Sequence, residues 1–87
     1  MAIVTVGFRL PDLTPVELFL HAAKVGTAVE IEARDGGIAV SIALQHGASL
    51  DGLARGLTKT YGGQPASVLG AAIDAVLRYL QRERIGS

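Results

Sequence analysis

Two short stretches of alternating apolar side chains, split by prolines, constrain the fold of this chain more than any other feature. From Ala2 to Leu10, Val4, Val6, Phe8 and Leu10 fall on one side and Ile3, Thr5, Gly7 and Arg9 on the other, the period of a half-buried strand. Pro11, Asp12 and Pro15 then break the pattern as a turn. Val16, Leu18, Leu20 and Ala22 next alternate with Glu17, Phe19 and His21, so the two stretches predict a β-hairpin. An isolated hairpin is marginal in water, so this one must pack on helices or add to the sheet of another chain.

Size sharpens that demand. The chain has 87 residues, enough for one domain spanning 1–87. A domain this small buries only about 60–65% of the surface that its unfolded chain exposes. No disulfide can add stability, because there is no cysteine. The two histidines, His21 and His46, lie far apart and lack ligand spacing, so neither a metal site nor another cofactor is expected. Hydrophobic residues make up 49% of the chain against 18% charged, which favours burying further surface in a homo-oligomer.

Helical periods occupy the rest of the sequence. Gly26 permits a bend, and Thr27 with Glu30 fits a capping box that opens a helix running to Gln45 or His46 and stopping at Gly47. On a wheel, Val29, Ala33, Gly36, Val40, Ala43 and Leu44 form a broad apolar face, and Ile31, Ile38 and Ile42 form a second stripe. Glu30, Arg34, Ser41 and Gln45 fall between them as the expected solvent edge. Gly36 and Gly37 inside this helix each cost about 1 kcal/mol relative to alanine, which points to close packing through small residues or to a kink. A short helix opened by Ala48 or Ser49 carries Leu50, Leu53 and Leu57, and Thr58 to Gln64 reads as a loop. The last helix begins at Pro65 or Ser67, buries Val68, Leu69, Ala72, Ile73, Val76, Leu77 and Leu80, pairs Asp74 with Arg78, and frays after Arg82. The expected fold is therefore α+β, ββααα, with the long first helix central.

Charge excludes several functions. Eight basic and eight acidic residues in mixed order leave a net charge of zero, with no basic stripe or tail for DNA or RNA. The apolar runs are short and interrupted, so no membrane span is expected. Met1 to Val6 reads as a strand rather than the basic start of a signal peptide, which makes the cytoplasm the expected compartment.

With hairpin and helix in place, the chain resembles the TSCPD domain family, found at the C-terminus of cobalamin-dependent ribonucleotide reductases and as small free-standing proteins. The words that carry the resemblance are Val4–Phe8, Val16–Thr27 and Ser41–Gly47 with Leu50, followed by Gly63–Asp74. The Thr-Ser-Cys-Pro-Asp motif that names the family is missing, and no cysteine replaces it. Ribonucleotide reduction in that family works through cysteine, so the resemblance implies an accessory role beside a reductase partner, not the enzyme itself.

Two places could hold a nucleotide or other phosphate-bearing ligand. One is the helix start at Gly26 and Thr27 with Lys24 before it, where free N–H groups and the helix dipole favour an anion; ordinary capping uses the same residues. The other is Lys59, Tyr61, Gly63 and Gln64 leading to Ser67, where Tyr61 could stack on a base and Ser67 could present N–H groups; an ordinary loop has the same composition, and the spacing is not that of a Walker motif. His21, on the strand face opposite Leu20, is either a ligand contact or an exposed surface histidine. No arrangement of carboxylates or serines supports catalysis, so a non-catalytic module is expected. Alternatives are a ligand-free protein-interaction module and a phage-type sponge for nucleotide signals.

Overall fold

The computed structural model describes residues 2–22 and 26–86. It has the α+β order read from the sequence: strands β1 (Ala2–Arg9) and β2 (Thr14–Ala22), then helices α1 (Ala28–Gln45), α2 (Leu50–Gly56) and α3 (Val68–Gly86). β1 and β2 pair antiparallel, with Val4 opposite Leu20 and Val6 opposite Leu18, and a register shift falls between Gly7 and Phe8. That irregularity accommodates Pro15, which lies inside β2 opposite Phe8 rather than in the turn. Leu10 lies beyond the strand and is exposed, so it does not continue the inner face.

Val4, Val6 and Phe8 of β1 pack with Leu18 of β2 against Ile73, Val76 and Leu80 of α3, together with Val40, Leu44 and Leu50. A second cluster joins Leu20, Ala33 and Ala72. The largest fully buried side chains, Leu18, Leu20, Ile73 and Leu80, belong to β2 and α3, while α1 contributes Ala33, Val40 and Leu44 to the two clusters.

α1 lies along the open edge of β2. Ser41 Oγ accepts from the Leu18 N–H at 2.8 Å, and its single hydroxyl proton is shared between the carbonyls of Leu18 at 3.0 Å and Gly37 at 2.9 Å. Gln45 Nε2 reaches the Val16 carbonyl at 3.4 Å. A Cβ on Gly37 would stand 2.9 Å from the Leu18 carbonyl oxygen and 3.3 Å from the Leu20 nitrogen, so only glycine lets the helix approach the strand this closely. Gly36 faces Leu69 of α3. The helix runs through both glycines, which settles their role as close packing and not a kink.

Edge docking corrects the wheel. The buried stripe of α1 is Glu30, Ala33, Gly37, Val40, Ser41 and Leu44, rotated away from Val29, which is 56% exposed. Glu30 and Ser41, expected on the solvent edge, are 3% and 6% exposed. Both are buried because each hydrogen-bonds backbone groups that would otherwise have no partner.

The helix ends follow their caps. Thr27 Oγ1 accepts from the Glu30 N–H at 3.2 Å, as the capping box requires. At the other end Gly47, with φ of +98°, lets its own N–H bond Leu44 and the Ala48 N–H bond Ala43, a Schellman closure. Ser49 caps α2 through the Gly52 N–H, and Ser67 caps α3 through the Gly70 N–H, both at 3.0 Å. Arg78 pairs with Asp74 at 2.9 Å as expected. α3 is helical through Gly86, past the expected end at Arg82.

Candidate functional site

The expected anion site at the start of α1 is built as a cap. Glu30 Oε1 accepts from the Gly26 N–H at 3.2 Å and from Arg34 at 3.0 Å, while the Glu30 N–H is engaged by Thr27. A carboxylate therefore already sits where a phosphate would bind, stabilised by the positive end of the helix and by the Arg34 ion pair. Lys24 lies outside the described residues.

The second expected site is a small closed turn. Lys59 and Pro65 form an isolated bridge, the Thr60 N–H donates to Gln64 at 2.8 Å, the Gly63 N–H donates to Thr60 at 3.0 Å, and the Ala66 N–H donates to Thr58 at 3.0 Å. Gly63 has φ of +82°, which the turn requires, and Tyr61 stands fully exposed at its tip. Lys59 bends back so that its Nζ donates to the carbonyls of Ala54 at 2.6 Å and Leu57 at 2.9 Å, closing the end of α2 rather than reaching outward. The signal for this turn was in the sequence, in Thr60 followed by Gly62 and Gly63.

Only part of the expected set comes together. Ser67, with Ala66, Val68 and Leu69, lines one wall of a cleft of about 410 Å³ whose other wall is Val29, Glu32 and Ala33 of α1. The cleft thus opens between the first turns of α1 and α3. The first turn of α3 carries no acidic residue, but Glu32 adds a carboxylate on the facing wall. His21 is exposed on the outer face of the hairpin and does not line this cleft. Among the described residues no group of three or more His, Cys, Asp or Glu could hold a metal ion, and no described helix is long and apolar enough to cross a membrane.

Large apolar side chains outside the expected ligand sites are left exposed as well. Ile31, Ile38 and Ile42 of α1, the second stripe of the wheel, are 43–54% exposed. Phe19 and Ile3 on the outer face of the hairpin are 41% and 61% exposed. Gly37 presses on β2 beside the Cα of Phe19, and Ile38 is its neighbour on the side of α1 turned away from α3, so stripe and sheet face adjoin. Comparison with family models, with curated proteins and with solved structures finds no match to this chain.

Proposed function

We propose that this chain is a non-catalytic, cytoplasmic interaction module that works as a homo-oligomer. The observation that carries the reading is the set of large apolar side chains left uncovered on one side, Ile31, Ile38 and Ile42 beside Phe19 and Ile3. Scattered exposed apolar residues are ordinary, whereas a contiguous group marks an interaction surface. The TSCPD-like words in the sequence, without cysteine, support an accessory place beside a reductase rather than the reaction itself. Light scattering at micromolar concentration tests the assembly, and a strict monomer removes it.

A second reading is supported by the cleft between α1 and α3. Its Ser67 wall at the start of a helix whose first turn carries no acidic residue suits a nucleotide or other phosphate-bearing ligand, and tight affinity there would make the protein a sponge for nucleotide signals. Glu32 on the facing wall and the turned-back Lys59 weigh against it. Thermal shift with dNTPs, NTPs and cyclic nucleotides is decisive, since binding to the folded state alone must raise Tm. Silence across that series leaves the interaction module as the reading.

A further inference from the structure

The two edges of the hairpin are treated differently. Because Ser41 bonds both the N–H and the C=O of Leu18, the backbone groups of Leu18 point away from β1. Across the antiparallel ladder, Val6 opposite Leu18 and Val4 opposite Leu20 must then turn their own N–H and C=O away from β2. On the β2 side these outward groups meet α1. On the β1 side the sheet ends, and no hydrogen bond among the described residues reaches Val4 or Val6 from outside the hairpin.

Edge strands are normally protected by charge, proline or a bulge in their middle. β1 has no charged residue before Arg9 and no proline, and its one irregularity comes after Gly7. Beside this edge runs an apolar groove of about 270 Å³ between Val4, Val6 and Phe8 of β1 and Ala75, Val76 and Tyr79 of α3. The exposed surface of the whole molecule exceeds that of an ordinary monomer of its mass. A folded monomer of 9.0 kDa is expected to expose about 4,900 Å². This chain exposes 5848 Å². The surplus, about 1,000 Å², is close to the roughly 800 Å² that each partner buries in a standard interface.

We propose that a second copy of this chain docks on the free edge of β1, joining the two hairpins into one four-stranded antiparallel sheet. The inference rests on the homo-oligomeric reading above but assigns the contact between copies to the β1 edge, leaving the isoleucine stripe of α1 outside it. A two-fold axis at Thr5 sets Val4 of one copy opposite Val6 of the other, so that their outward N–H and C=O groups exchange hydrogen bonds reciprocally. The groove of each copy then meets that of its partner on the face covered by α3, where Ala75 and Tyr79 line both. The zero net charge leaves no overall repulsion between copies.

Three proteins measured by light scattering test the inference: the unaltered chain, Val4→Pro, and Ile38→Glu combined with Ile42→Glu. Proline at position 4 removes an N–H that the monomer does not use, so the hairpin ladder is spared. The expected result is twice the 9.0 kDa chain mass for the unaltered protein and for the isoleucine variant, and a halved mass for Val4→Pro. If the isoleucine variant alone becomes monomeric, the assembly stands and pairing through β1 is overturned. An unaltered chain that is itself monomeric overturns both. Amide hydrogen exchange on the unaltered chain decides the matter even if Val4→Pro fails to fold. Protection at Val4 and Val6 that disappears on dilution supports the edge, and rapid exchange there in a sample of double mass refutes it.

Discussion

Gly37→Ala is the substitution in which intrinsic helix preference and tertiary packing oppose each other most directly. In an isolated helix the change gains about 1 kcal/mol. In this protein the new Cβ meets the Leu18 carbonyl oxygen at 2.9 Å, the Leu20 nitrogen at 3.3 Å and the Phe19 Cα at 3.5 Å, all of them backbone atoms of a paired strand. Relief requires α1 to withdraw from β2 by about 0.5 Å, a typical consequence of overpacking that costs about 1–3 kcal/mol. Withdrawal also stretches the Ser41 bonds to Leu18, now 2.8 and 3.0 Å, and each buried bond lost costs about 1–3 kcal/mol. Against the gain in propensity, net destabilisation of about 1–3 kcal/mol is expected. Gly36→Ala is the control, because its Cβ meets only the Leu69 Cδ2 at 3.1 Å, the end of a side chain that can rotate. That variant should be neutral or more stable by up to about 1 kcal/mol. Urea denaturation followed by circular dichroism at one fixed protein concentration measures both, and a shift of about 4–8 °C in Tm per kcal/mol gives a second readout. Finding Gly37→Ala at least as stable as the parent, or less harmful than Gly36→Ala, would refute edge docking of α1.

Ser41→Ala leaves the Leu18 N–H and C=O buried without a partner, and a loss of about 2 kcal/mol is expected in the same denaturation assay, with faster exchange of the Leu18 amide; an unchanged midpoint would mean that water replaces the hydroxyl. Asp12 is held below its ordinary value of 3.8 first by the Thr14 side chain, with smaller help from backbone hydrogen bonds and Arg9 against desolvation. A lowered native pKa means that its contribution to stability is complete above 3.8 and is lost as pH falls through the native value. Thr14→Val should therefore raise the Asp12 titration midpoint measured by NMR, and a midpoint that does not move contradicts the assigned cause.

Local chemistry made much of this fold readable from the residues. Alternation in Val4–Phe8 and Val16–Ala22 specifies a hairpin because side chains on a strand repeat every second residue, and the capping box at Thr27 and Glu30 with Gly47 specifies both ends of α1 through neighbours in sequence. The loop at Lys59 to Gln64 was legible as a break, with Gly62 and Gly63 signalling its turn, but the role of Lys59 was not legible at all. Its partners are carbonyls freed by the end of α2, which composition does not reveal.

Sequence by itself determined the element order, the caps, the alternation of the hairpin and the absence of thiol chemistry. Tertiary structure alone decided which face of α1 is buried. A wheel ranks faces by hydrophobicity, which suits a helix packed on other side chains. α1 packs on the edge of a strand, whose exposed groups are N–H and C=O, so a serine, a glycine and a capped glutamate are buried while three isoleucines stay outside. The same contact covers the β2 edge and leaves the β1 edge open, an asymmetry that no local pattern in Ala2–Arg9 encodes.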